Sequence, residues 1–111
     1  MMTKMEMMEA AANLYDGGWR AEDRDEMKSM YWLSNDEADG IARELNRIRD
    51  AKVVDSDGNE YDWDTVVSYM DDDIREQIHA EMAPCSNQEF FDAYVKAHWE
   101  KFGENFPTRE M

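Results

Sequence analysis

Residues 55–73 read DSDGNEYDWDTVVSYMDDD and hold eight carboxylates, Asp55, Asp57, Glu60, Asp62, Asp64, Asp71, Asp72 and Asp73, with no Lys or Arg among them. Carboxylates at that density can hold a metal ion, move a proton, or attract a cationic surface. Calcium binding by an EF-hand loop needs glycine at position six and a bidentate acid at position twelve. Counted from Asp55, those positions are Glu60 and Val66, and Gly58 falls at position four, so the register fails. General acid–base work needs a carboxyl in a pocket, and nothing in the spacing marks one. The third chemistry remains. Like charges on an ordered scaffold repel by a few tenths of a kcal/mol per close exposed pair. A small protein that holds such a patch points to a basic partner.

Other reactive side chains are few. Cys85 has His79 and His98 as the available bases, but no third member and no oxyanion hole accompany them. As zinc ligands the three lack compact spacing. Tyr69-Met70-Asp71-Asp72 spells the metal-binding tetrapeptide of reverse transcriptases. It lies at a helix boundary here, without the polymerase palm that the tetrapeptide serves, and reads as coincidence. The expectation is a protein that is not an enzyme, with no catalytic residue, no metal site and no cofactor.

The totals favour the same reading. The chain has 111 residues, 27 acids against 12 Lys and Arg, and a formal net charge of −15. That field repels nucleic acid and anionic lipid and attracts basic protein. No direct nucleic acid and no membrane are the corresponding partner expectations. Hydrophobic residues make up 42% and aromatics 12%, which a disordered acidic chain lacks. One cysteine fits a reducing cytoplasm, and no apolar run reaches the roughly 20 residues of a membrane span.

The elements that must position the acids follow from periodicity. The class expected is α+β, mostly α, with about five helices and one β-hairpin near residues 52–63. A single domain over 1–111, with a short tail from about Glu104 in which Phe106 docks, is the natural organisation. Thr3 caps a helix over Lys4–Tyr15 with Met5, Met8, Ala12 and Tyr15 inward. Glu22–Trp32 follows, with Met27, Met30 and Tyr31 inward. Ser34 and Glu37 form a capping box for a third helix, striped by Ala38, Ile41, Ala42, Leu45 and Ile48. The pair has a helix-turn-helix rhythm, but Asp36, Glu37 and Asp39 stand where a DNA reader needs polar or basic residues. Only Arg43, Arg47 and Arg49 keep a nucleic-acid reading open.

Asp57-Gly58 between alternating segments predicts a hairpin whose two turn positions both take positive φ. Its strands are 52–56 and 59–63. Alternation then sets Glu60, Asp62 and Asp64 on one face, about 6.6 Å apart. Val54, Tyr61 and Trp63 pack on the helices. Asp64 caps a short helix over Thr65–Met70. Asp71–Asp73 start another, where anions suit the helix dipole, with Ile74, Ile78 and Met82 inward. Ser86 and Glu89 cap the last helix, which turns Phe91, Tyr94, Val95, His98 and Phe102 inward and ends at Gly103.

The segments LYDGGWRAED, YDWDTVVSYMDDDIREQIHAEMAPCS and YVKAHWEKFGE resemble short acidic proteins of bacterial phages and mobile elements. By size and charge the chain is also similar to anti-CRISPR and anti-restriction inhibitors. The resemblance transfers no site residue. It implies an acidic inhibitor in the host bacterial cytoplasm, occupying a nucleic-acid-binding groove of a defence protein such as an effector nuclease. The eight acids are its expected partner-binding residues. The alternative is a regulatory or scaffolding module of a mobile element that binds through a Met/Trp surface, Met1, Met2, Met7, Trp19 and Trp32. A homodimer burying those aromatics is a variant of it.

Overall fold

A computed structural model describes residues 2–108 and 111. Among these, six α-helices and one two-stranded antiparallel hairpin form, so the class is α+β and mostly α, as the periodicity predicts. The chain divides into two compact units, Met1–Ile48 and Arg49–Met111. Met1, placed by sequence in the Met/Trp surface, lies outside the described residues.

In the first unit, α1 (Lys4–Asp16) begins at Thr3. The Thr3 hydroxyl accepts the Glu6 N–H at 3.1 Å, and the Glu6 carboxylate accepts the Thr3 N–H. Ala11 and Tyr15 are its buried positions, while Met5 is 56% exposed. The methionines at positions 5, 7 and 8 allow two registers of the stripe, and packing selects the one that omits Met5. A single 3-10 turn, Ala21–Asp23, leads into α2 (Arg24–Met30). Met27 is fully buried, but Met30 and Tyr31, expected inward, are 59% and 48% exposed. The helix ends at Met30 and Trp32 takes a φ of 57°, so the chain turns away at Tyr31 and the last helical residue, Met30, stays at the surface. Ser34 and Glu37 exchange both capping bonds at the start of α3 (Asn35–Asp50). Ala38, Ile41, Leu45 and Ile48 form its buried stripe. Gly40 lies within this helix, where a Cβ would meet the Met7 thioether and require that flexible side chain to shift.

In the second unit the hairpin is shorter than expected. β1 (Val53–Val54) and β2 (Glu60–Tyr61) pair Val53 with Tyr61 and Val54 with Glu60. The Gly58 N–H donates to the Asp55 carbonyl at 3.1 Å, and the Asp55 N–H to that of Asn59 at 3.0 Å. Only Gly58, at φ 84°, takes positive φ in the turn, so the two-residue Asp-Gly turn is replaced by a longer loop with a glycine bulge. Val53 is the buried valine and Val54 is 42% exposed, the reverse of the expected facing.

α4 (Trp63–Ser68), α5 (Asp72–Met82) and α6 (Asn87–Phe102) complete the unit. α4 starts two residues earlier than predicted, with Asp62 and not Asp64 at the cap position. This start buries Trp63, which meets Phe90 edge-on at 5.6 Å. Ser86 and Glu89 form the capping box of α6 and Gly103, at φ 68°, closes it. Phe102, assigned to the core, is 44% exposed, while Phe106 is buried edge-on against Tyr94 at 4.8 Å. Past Gly103 the chain folds back, and Phe106 supplies the ring that the end of α6 was expected to supply.

Candidate protein-binding surface

The eight acids fall into three groups by the element that holds them. Asp55, Asp57 and Glu60 belong to the hairpin, Asp62 and Asp64 to the start of α4, and Asp71, Asp72 and Asp73 to the start of α5. The expected ladder of Glu60, Asp62 and Asp64 along one strand does not form. The strand ends at Tyr61, and a helix takes over because it buries Trp63 and accepts acids in its first turn.

Two of the eight are occupied by the fold. The Asp55 carboxylate accepts the Tyr61 hydroxyl at 2.7 Å and the N–H groups of Asp57 and Asn59 at 2.9 and 3.0 Å. The Tyr61 bond first, and the backbone bonds after it, hold the Asp55 carboxyl below the usual carboxylate range. Asp55 therefore ties the turn together and has little left for a partner. Asp71 is the N-cap of α5, accepting the Ile74 N–H at 3.1 Å. That bond, and then Lys101 at 3.1 Å, lower its pKa.

The remaining acids point outward, several beside cations of the same unit. Lys52 Nζ lies 3.7 Å from Asp62, Arg75 3.5 Å from Asp72, and Lys101 3.9 Å from Asp73. The Asp62, Asp72 and Asp73 side chains are nevertheless 72%, 85% and 89% exposed. Pairs this open are worth about 0–1 kcal/mol and exchange readily for a better partner. Asp64 differs, since partial burial raises its pKa. Asp57, Glu60, Asp62, Asp72 and Asp73 thus stand at the surface, whereas Asp55 and Asp71 are drawn into the fold.

The sequence did not point to the supports beneath them. Tyr94 Oη accepts the Asp71 N–H at 2.7 Å and lies 3.2 Å from His98 Nδ1. His98 Nε2 is buried with no hydrogen-bond partner among the described residues. The i,i+4 spacing of Tyr94 and His98 was visible in advance, whereas the reach of Lys101 back to Asp71, thirty residues away, was not. Gln88 binds the outer edge of β1, its amide accepting the Val54 N–H at 2.9 Å and donating to the Val54 carbonyl at 3.0 Å.

The other chemistry read from sequence is dispersed. Cys85 sits at the α5–α6 joint, where burial first and Glu89 second push its thiol pKa up, against a nucleophilic role. Among the described residues no group of three or more His, Cys, Asp or Glu side chains is placed to hold a metal ion. Arg47 is bridged to Glu44 at 2.7 Å and Arg49 to Asp50 at 3.0 Å. Among the described residues no helix is long and apolar enough to cross a membrane.

Residues 54–106 match the family model described as Anti-CRISPR protein AcrIC5. The matched segment lies within the second unit and contains all eight acids. Over this stretch the chain is similar to an anti-CRISPR family, in line with the phage and mobile-element resemblance of its sequence. No curated protein and no solved structure matches the chain.

Proposed function

We propose that the chain is a non-enzymatic inhibitor of a CRISPR effector in the bacterial cytoplasm. It acts by placing the outward carboxylates of the second unit in a cationic, nucleic-acid-binding groove of that effector. The observation that carries this reading is the coincidence of three features in one segment. Residues 54–106 match an anti-CRISPR family, contain the acids, and fold as helix starts and a turn that hold them outward. Groups of carboxylates from short ordered elements stand in for the phosphates that the groove would otherwise receive. Association driven this way is fast and falls steeply with salt.

The test is target-DNA binding by a purified CRISPR effector with increasing amounts of the protein, repeated across a salt series. Competition with DNA that weakens as salt rises supports the reading. A six-site variant (Asp57, Asp62, Asp64, Asp72 and Asp73 to Asn, Glu60 to Gln) that competes as well as the parent would overturn it.

A second reading has one observation in its favour. Trp32 is 93% exposed, at a positive φ that a bulky residue rarely takes, next to exposed Met30 and Tyr31. An aromatic tip of this kind is a typical protein-binding anchor. In this reading the first unit makes the contact, to another protein or to a second copy, and the acids keep the chain soluble. Light scattering identifies the homodimer form.

A further inference from the structure

Two acid-lined cavities in the second unit differ in a way that assigns one of them an occupant. The first, of about 480 Å³, has Asp62 and Asp64 on its walls together with Arg49 and Lys52, so its acids already face cations of the same unit. The second, of about 950 Å³, opens between the hairpin turn, α6 and the segment after Gly103. Val54, Val95 and Pro107 give it apolar walls, and Asp57 and Asp92 carry its outward charge. Among the described residues that line it there is no Lys or Arg.

We propose that this second groove receives an arginine side chain from the partner. The inference rests on the reading of the protein as an inhibitor of a cationic effector, and names where on the inhibitor one of that partner's arginines goes. Arginine has the matching chemistry, with methylenes for the apolar walls and a planar guanidinium for carboxylates at the mouth. Asp55 also lines the groove, but its oxygens are held by the Tyr61 hydroxyl and the turn N–H groups. The charge is therefore met by Asp57 and Asp92. One oxygen of Asp92 accepts the Gln88 amide at 2.9 Å, which fixes its direction. Gln88 also closes the mode of binding. Because its amide takes both the Val54 N–H and carbonyl, a partner segment cannot add to β1 as a third strand there. The guest enters by its side chain.

The test has two arms. In the first, the ¹⁵N-labelled protein is titrated with an end-blocked Gly-Arg-Gly peptide and with its citrulline counterpart, a neutral molecule of nearly the same shape. Saturable shifts confined to Val54, Asp92, Val95 and Thr108, and seen for arginine alone, are the result expected. Asp57→Asn with Asp92→Asn weakens that binding about fivefold, as two exposed charge pairs would. Glu76→Gln with Glu81→Gln, the same change in net charge at exposed acids outside the groove, leaves it unchanged. Equal shifts for citrulline, equal loss in the two double variants, or no saturable shift overturns the proposal.

In the second arm, Val95→Trp fills the groove and leaves every carboxylate in place. It is expected to reduce competition for the effector about tenfold, with the circular dichroism spectrum retained. Unchanged competition by Val95→Trp, alongside loss in the six-site variant, removes the groove and keeps the inhibitor reading. Unchanged competition by both removes the inhibitor reading itself. If Val95→Trp does not fold, the peptide arm decides.

Discussion

The two units of this chain expose different things. The first carries eleven acids and six Lys or Arg, and turns Met5, Met30, Tyr31 and Trp32 to solvent. The second carries sixteen acids against six Lys or Arg, exposes Val54, Tyr69, Trp99 and Phe102 singly, contains the anti-CRISPR match, and presents acids from helix starts and a turn. Net charge alone does not separate them, since both are negative. What separates them is which side chains reach the surface. In the second unit the fold fixes the acids: Asp71 caps a helix, Asp55 ties a turn, and their neighbours are held beside them. In the first, Glu6 and Glu37 are fixed in capping boxes and Arg24 bridges Asp25 and Asp39, much as acids are held in the second. What the first unit adds is the aromatic tip at Trp32.

The largest effect expected is on stability. Phe91, buried against Phe106, should cost about 4 kcal/mol when changed to Ala, by the usual loss for a core aromatic. Denaturant unfolding measures it. Leu45→Ala in the first unit should cost about 3 kcal/mol. Trp19 and Trp32 report on the first unit, Trp63 and Trp99 on the second. Single-Trp versions therefore show whether each loss stays in its own unit.

Next comes the division of labour. The six-site variant of the second unit should lose effector binding on the order of a hundredfold, with a flatter salt dependence. Neutralising six acids of the first unit (Glu9, Asp16, Glu22, Asp25, Glu26 and Asp36) should cost less than about threefold, since charges away from the contact act mainly through steering. Equal losses would end the distinction between the units.

Trp32→Gly gives a smaller and opposite effect. The side chain buries almost nothing and the backbone sits where glycine is at ease, so stability should rise by about 1 kcal/mol. Thermal melting measures this, and effector binding should stay within about twofold. A large loss of binding with a gain in stability would move the contact to the first unit.

The smallest effect is a matter of pH. The folded pKa values of Asp55 and Asp71 lie below their ordinary values, so each stabilises the fold above the unfolded carboxylate pKa near 4. That contribution is lost as pH falls through the depressed folded value. Asp71→Asn should therefore show a shallower fall in melting temperature than the parent below about pH 4. Parallel acid limbs would mean that Asp71 contributes no linkage.

Parts of this were legible in advance because they are local. The Thr3 cap, the capping boxes at Ser34 and Ser86, most of the α3 stripe and the Gly103 stop each depend on residues within a turn or two, and all are observed. The strand ladder misled because alternation was carried across Asp62, where the side chain of Trp63 is better buried by starting a helix. Tyr31 misled because a helical stripe was continued past the end of α2 at Met30, and Met30 because that last turn is left open to solvent.

By itself the sequence determined the excess of carboxylates and the places where helices begin, because charge count and capping are properties of short stretches. Tertiary structure decided which of those acids are drawn into the fold and which share a groove. Asp55 and Asp71 are taken up by Tyr61, Ile74 and Lys101, while Asp57 and Asp92 come to share one groove. The Asp71–Lys101 and Asp57–Asp92 juxtapositions join residues thirty or more apart in the chain, and only the folding of one segment onto another brings them within reach.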